Sequence, residues 1–168
     1  MRRAGAGLDA SARARAEAIQ GELAELANAF QNNVLDGTNA FSLDLSDERR
    51  VRGVPASALR RARAAAEAAG VDGWRFTLHQ PSYLAIADHA EDRELRRTMY
   101  EAFQARGTGE GRDNRALIPR ILELRRELAA LLGYAHWADL QIEPRMARRG
   151  AVAQEFERDL FHRIEPHF

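Results

Sequence analysis

Apolar residues recur every three or four positions along most of this chain, and that spacing constrains the fold more than any other feature. The first stripe of this kind consists of Ile19, Leu23, Leu26, Phe30 and Val34. It predicts a long amphipathic helix with one apolar face. Asp9 or Ser11 can cap the start of this helix, and Asp36-Gly37 is expected to end it.

The same spacing, punctuated by glycine and proline, predicts further helices along the chain. They are expected from Pro55 to Gly70, around Tyr83–Ile86, from Leu95 to Gly107, from Asp113-Asn114 to Gly133, from Ala135 to Met146, and from Ala151 to Pro166. Within the longest of these, Leu117–Leu132 forms a second strong apolar stripe. In the last helix the stripe is Val152, Phe156 and Leu160.

Two short segments instead show period two, which is typical of β-strands. Apolar residues alternate with polar ones at Phe41, Leu43 and Leu45, and again at Trp74, Phe76 and Leu78. The predicted fold class is therefore mostly α, with one or two short β-strands that can form a small ribbon on helices. Residues 1–8 are expected to be a flexible N-terminal tail, and residues 9–168 a single helical segment.

Composition excludes several classes of protein. The chain is 45% apolar and 30% charged, which is typical of a globular domain. Its 25 basic residues, all arginine, equal its 25 acidic residues, so no net charge favours nucleic acid or an anionic membrane as a partner. No apolar run approaches the ~18–20 residues of a membrane span, and we expect a cytoplasmic protein. The absence of cysteine excludes disulfides and thiolate ligands.

The five histidines do not form a recognisable metal site. A zinc peptidase helix needs His-Glu-x-x-His, which places both imidazoles on one face beside a general base, and this chain contains no such string. His162 and His167 come nearest, but they are five positions apart and Pro166 interrupts the helix between them. His79, His89 and His136 fall in different elements, where a structural role is the simpler interpretation.

Other catalytic patterns are missing too. No serine lies in G-x-S-x-G or S-x-x-K, and most carboxylates fall on polar helix faces where nearby arginines pair with them. The glycines of Gly107–Gly111 lack the spacing of a phosphate-binding loop, so this loop is interpreted as a plain linker. From the residues alone, no catalytic, cofactor-binding or metal-binding residue is predicted.

Several strings go beyond a generic helical pattern. In order, they are Gln31–Asp36, Phe76–Leu84, Asp92–Arg96, Met99-Tyr100, Asp113-Asn114, Ile121–Leu128, Leu131–Tyr134 and Met146-Ala147. Their order and spacing resemble the M3 family of zinc oligopeptidases. The resemblance covers roughly residues 5–156, and the last eight residues, 161–168, are expected to depart from the family.

The resemblance implies part of a zinc-dependent metalloendopeptidase, a long and mostly helical protein whose two lobes wall a channel. In that family a zinc-bound water cleaves short peptides, and the ligands lie on a His-Glu-x-x-His helix in the C-terminal part. The matching strings correspond to the stretch ahead of that catalytic domain. None of the family's metal ligands or catalytic residues maps onto this chain, so zinc is expected in the parent family and not in these residues.

Two hypotheses follow for function. In the first, the chain is part of the channel wall of a zinc oligopeptidase and is inactive alone, as a gene truncation or a frameshift would leave it. In the second, it is a stand-alone helical interaction module derived from a truncated peptidase gene. No partner is certain in either case, although exposed helix faces predict possible self-association, and neither nucleic acid nor membrane is expected.

Overall fold

A computed structural model describes Arg3 and residues 5–168. In this part of the chain the helices are α1 (Ala10–Ala40), α2 (Ala56–Ala68), α3 (Gln80–His89), α4 (Arg93–Gln104), α5 (Leu117–Leu131), α6 (Trp137–Ile142) and α7 (Gly150–Ile164). The strands are β1 (Ser42–Leu45) and β2 (Trp74–Thr77), which form one antiparallel sheet. Short 3-10 turns span Glu48–Val51, Asn114–Ala116 and Glu165–His167. The prediction of a mostly helical fold with short strands is confirmed.

The chain divides into two compact units. The terminal unit consists of Met1–Ala27 and Leu117–Phe168, and the central unit consists of Asn28–Ala116. The sequence predicted one helical segment over residues 9–168. One boundary between the two units falls inside α1, between Ala27 and Asn28, and the other falls between Ala116 and Leu117, directly before α5. None of the described helices is long and apolar enough to cross a bilayer.

The predicted tail, residues 1–8, is described only in part. Met1, Arg2 and Ala4 lie outside the described residues. Gly5 and Leu8 form a turn, in which the Leu8 N–H donates to the Gly5 carbonyl over 3.0 Å. Leu8 is partly buried and packs against the core of the terminal unit.

Helix α1 begins where the sequence predicts but ends later. Asp9 accepts a 2.8 Å hydrogen bond from the Ala12 N–H, which confirms it as the N-cap. The predicted end at Asp36-Gly37 is wrong, because the helix continues to Ala40. Gly37 is not a left-handed cap: a Cβ atom there would lie 3.3 Å from the Gly107 nitrogen, so glycine at this position permits a close approach of two backbones.

The core of the central unit lies between the sheet and helices α2 to α4. Strand β1 pairs with β2 in the register Leu43↔Phe76 and Leu45↔Trp74, which confirms the two predicted strands. Apolar side chains from both strands and from α2, α3 and α4 then fill this core: Leu45, Ala58, Ala62, Phe76, Leu78, Ile86, Leu95 and Met99. The alanines of α2 allow that helix to lie close to β2, since small side chains shorten the helix–sheet distance.

In the terminal unit, the N-terminal part of α1 packs against α5 and α6. The buried residues are Ala16, Ile19, Leu124, Leu128, Leu132 and Leu140. Two ion pairs of 2.6 Å flank this core, Arg15–Glu127 and Arg120–Glu22. The predicted stripes of α1 and α5 therefore cover each other here, and α5 ends before Gly133, whose φ of 75° confirms the predicted glycine stop.

Helix α7 differs from every other long helix, because none of its residues is buried. Its predicted apolar stripe exists, but Val152, Phe156 and Leu160 are all exposed, Phe156 by 67%. The preceding helix α6 is shorter than the predicted range of 135–146, and the chain leaves it through turns in which Arg148 has a φ of 57°. The apolar spacing thus predicted α7 correctly as a helix, but it did not predict that the apolar face of this helix is exposed.

Candidate functional site

A pocket of about 550 Å³ in the central unit is lined by both apolar and charged side chains. It lies beside the loop of residues 107–112, and we call it the loop pocket. Its apolar lining comes from Phe41, Leu78 and Ala102, and its charged lining from Arg106, Glu110 and Arg112. Phe41 and Leu78 directly follow α1 and β2, Ala102 lies in α4, and the charged residues follow α4 or belong to the loop.

A buried asparagine holds the loop in place. The Asn114 N–H donates to the Gly107 carbonyl over 2.7 Å, and its side-chain nitrogen donates to the Phe30 carbonyl over 3.1 Å. Asn33 in turn donates to the Asn114 side-chain oxygen over 2.8 Å. Only 4% of Asn114 is exposed, so its side chain needs partners inside the protein and finds them in α1, while its backbone N–H binds the loop.

The sequence predicted that the next helix begins at Asp113-Asn114, two residue types that can cap a helix. In the structure, the two residues have different roles. Asp113 accepts a 2.9 Å hydrogen bond from the Arg115 N–H and caps the 3-10 turn ahead of α5. Asn114 faces inward and fixes the loop. The glycines of the loop are thus more than a plain linker: Gly107 has a φ of 74°, and its backbone lies against the Asn114 side chain.

Arg106 forms the inner charged wall of the loop pocket. Its Nε donates to the Phe103 carbonyl over 2.8 Å, and its Nη1 donates to the Thr38 hydroxyl over 3.3 Å. The guanidinium carbon lies 3.3 Å from the centre of the Phe103 ring, which stacks on Tyr83 at 4.1 Å. Burial lowers the pKa of the Arg106 guanidinium, because leaving water disfavours the charged form.

Arg112 supplies the second positive charge of the loop pocket. Its Nη1 donates over 2.9 Å to the carbonyl oxygen of Asp36, near the end of α1. Among the described residues, neither Arg112 nor Arg106 forms an ion pair with a carboxylate. Two guanidinium groups beside an apolar lining can hold a ligand that combines an anionic group with an apolar group.

The histidines remain apart from one another, in line with their separate elements. His79 borders a smaller cleft of about 230 Å³ between α2 and β2, while His89 and His136 are exposed elsewhere. His162 Nδ1 lies 4.0 Å from Glu165 Oε2 at the surface. Within residue 3 and residues 5–168, no three histidine, aspartate or glutamate side chains are grouped to hold a metal, so these residues do not fit a zinc site.

Sequence reasoning missed the loop pocket. Its lining residues fall within positions 37–41, 78, 102–107 and 109–112, so no local pattern joins them. One signal was available: Asn33, Leu78 and Asn114 all lie in strings that carried the family resemblance. Those strings mark the packing that builds the pocket and not a catalytic motif.

Comparison with known proteins identifies the family. Residues 86–168 match the family model described as Peptidase family M3. The chain is 37% identical over 167 residues to oligopeptidase A of Haemophilus influenzae, an alignment that covers 96% of this chain and 24% of that protein. It is 36% identical over 167 residues to oligopeptidase A of Escherichia coli, covering 96% and 25% respectively.

A plant relative is also similar. The chain is 38% identical over 136 residues to a probable cytosolic oligopeptidase A of Arabidopsis thaliana, covering 77% of this chain and 19% of that protein. The chain thus spans about a quarter of the length of the first two relatives. The expectation that residues 161–168 depart from the family is wrong, since the family match runs through Phe168. The resemblance seen in the sequence strings is confirmed, and the chain belongs to peptidase family M3.

Proposed function

We propose that this chain is a non-catalytic segment of a zinc-dependent oligopeptidase that cleaves short peptides. The observation that carries this proposal is the alignment with oligopeptidase A, which extends over 96% of the chain. On this proposal, the metal and the activated water come from another part of the protein, and the described residues contain no group of three metal-binding side chains. This segment contributes a folded wall with an apolar, positively charged pocket.

The proposal also predicts where the protein works. One relative from Arabidopsis is named a probable cytosolic enzyme, and another from the same plant is named organellar, chloroplastic or mitochondrial. We propose the cytoplasm for this chain, on its likeness to the relative that is named a probable cytosolic oligopeptidase A. Fractionation of source cells with an antibody against the chain tests this, and enrichment in an organelle contradicts it.

Genomic sequence on both sides of the coding region gives the sharpest test of the proposal. We expect a reading frame downstream that encodes His-Glu-x-x-His and is joined to this segment in the mature protein. Immunoblots of source cells with the same antibody then show a product several times larger than 18.8 kDa. A downstream region without that motif, together with an 18.8 kDa product, contradicts the proposal.

One observation favours a second function, a stand-alone helical interaction module. Helix α7 buries none of its residues and exposes Phe156, Leu160 and Ile164 on the same side. An apolar helix face of this kind is typical of a surface that binds another helix. A chain that is found alone in cells and forms a stable complex through α7 supports this alternative over the peptidase segment.

A further inference from the structure

We propose that the loop pocket binds the C-terminal residue of a short peptide, with its α-carboxylate at Arg106 and Arg112 and its apolar side chain against Phe41 and Leu78. This inference rests on the proposed function, since it assigns a substrate subsite to the segment. It goes further by naming the end of the peptide that is recognised and the residues that recognise it.

Charge is the first argument. Arg106 and Arg112 donate hydrogen bonds only to neutral oxygens, those of Phe103, Thr38 and Asp36, and within the described residues no carboxylate pairs with them. A partly buried cation without an anionic partner is stabilised when a carboxylate arrives, because charge-assisted hydrogen bonds are stronger than neutral ones. The pocket is therefore complementary to an anion.

The backbone of the loop gives a second argument. The described structure provides no protein acceptor for the N–H groups of Gly109, Glu110 and Gly111, whereas the N–H groups of Thr108 and Arg112 do have carbonyl acceptors. Gly109 and Glu110 line the pocket beside the two arginines. Successive backbone N–H groups in a glycine-rich turn are a known means of capturing a C-terminal carboxylate.

The volume and the lining of the loop pocket favour the end of a peptide over a small anion as its ligand. A volume of about 550 Å³ is far larger than phosphate or acetate needs, and it lies within the range of pockets for small organic ligands. Phe41, Leu78 and Ala102 offer an apolar surface that a simple anion cannot use. With Arg106, Arg112 and Glu110 the lining carries a net charge of one positive, which matches a ligand with a single negative charge better than a peptide that ends in aspartate or glutamate.

The test measures binding and needs no catalytic activity. Isothermal titration of the 168-residue chain compares acetyl-Ala-Ala-Leu with a free carboxylate, the same peptide as its C-terminal amide, acetyl-Ala-Ala-Asp, and sodium acetate. We expect the free-acid leucine peptide to bind at least about tenfold more tightly than each of the others. The amide loses a charge-assisted hydrogen bond, acetate lacks the apolar contacts, and the aspartate peptide places a second charge against the apolar lining.

Two matched variants locate the site. Arg112→Gln is expected to weaken binding of the leucine peptide about tenfold, and Arg60→Gln, an exposed arginine of α2 outside the pocket, is expected to change it less than twofold. Circular dichroism confirms that both variants fold. Equal binding of acid and amide, binding of acetate as tight as that of the peptide, equal effects of the two variants, or no binding at all overturns the inference.

Failure here is distinguishable from failure of the proposed function. Genomic sequencing for the downstream His-Glu-x-x-His frame and immunoblots for the size of the cellular product test the proposed function without measuring peptide binding. A large product with that motif and no binding at the loop pocket leaves the peptidase segment intact and removes only the subsite.

Discussion

The side-chain nitrogen of Asn33 lies 2.8 Å from the side-chain oxygen of Asn114, a hydrogen bond between residues 81 positions apart in the chain. This bond connects α1 to the segment that follows the loop of residues 107–112. Asn114 also donates to the Phe30 carbonyl, so both the oxygen and the nitrogen of its side-chain amide are hydrogen-bonded to α1. One buried side chain therefore determines where the loop, and with it the loop pocket, is held.

Asn114→Ala is accordingly expected to lower the free energy of unfolding by about 1–3 kcal/mol, because it leaves buried hydrogen-bonding groups without partners. Asn32→Ala serves as the control, since Asn32 is exposed on α1, and we expect it to change the stability by less than about 0.5 kcal/mol. Urea denaturation followed by circular dichroism measures both. Equal effects of the two substitutions would show that the asparagine network is not a stabilising contact.

Two glycines of α1 provide a matched pair. A Cβ atom at Gly21 meets nothing within 4 Å, whereas at Gly37 it lies 3.3 Å from the Gly107 nitrogen and 3.4 Å from the Arg106 Cα. Gly21→Ala should raise stability by about 0.5–1 kcal/mol through helix propensity. Gly37→Ala should lose that gain, because the loop backbone must shift. Thermal melts of both variants test this, and an equal rise in Tm contradicts the close approach at Gly37.

The carboxylate of Asp92 predicts a dependence of stability on pH. It accepts from Arg50 Nε over 2.8 Å and from the Glu94 and Leu95 N–H groups at the start of α4, and these hydrogen bonds lower its pKa. The unfolded chain then binds this proton more readily than the folded chain. The ionised Asp92 carboxylate therefore stabilises the folded chain fully above the unfolded pKa of about 3.9, and this stabilisation is lost as the pH falls through the lower pKa of the folded chain.

Asp92→Asn keeps a capping oxygen but removes the charge. We expect it to cost about 0.5–1 kcal/mol at pH 7, the range for a partly exposed ion pair, and less at pH 3. Asp88→Asn, at an exposed position on α3 without an ion pair among the described residues, is the control and should cost little at either pH. Urea titrations at both values measure the difference. A cost for Asp92→Asn that does not shrink at pH 3 contradicts this account.

Self-association is predicted through α7 and not through the stripes of α1 and α5. Ile19 and Leu124 are fully buried, whereas Phe156 and Leu160 are 67% and 46% exposed. We expect the chain to bind a hydrophobic dye and to self-associate as its concentration rises. Phe156→Asp with Leu160→Asp should reduce both effects and change the stability of the monomer by less than about 0.5 kcal/mol. Light scattering that is unchanged in this double variant excludes α7 as the contact.

Metal binding and hydrolysis are predicted to be absent from the 168 residues alone. After dialysis against dilute zinc and then buffer, elemental analysis should find well under one equivalent. Quenched fluorescent oligopeptides should show no cleavage above a buffer blank, because the activated water of a zinc site supplies many orders of magnitude in rate. Stoichiometric zinc that is lost in a His162→Ala and His167→Ala double variant, or turnover abolished by a chelator, contradicts this prediction.

The sequence by itself determined the local structure. Period-four stripes located the long helices, period two located both strands, and Asp9 and Gly133 marked helix ends, because each signal acts within a few residues. The same stripes could not indicate what covers them. The stripe of α5 is buried in a core and that of α7 is exposed, although both have the same spacing.

Only the tertiary structure decided the candidate site. Glycine often ends a helix, yet Gly37 lies inside α1, where its missing Cβ leaves room for the loop backbone. Asparagine often caps a helix, yet the Asn114 side chain is buried and hydrogen-bonded to α1. Phe41, Leu78 and Arg106 likewise meet in one pocket from separate elements. Local propensity is worth about 1 kcal/mol or less per residue, so the burial of apolar area and of paired polar groups between distant segments outweighs it.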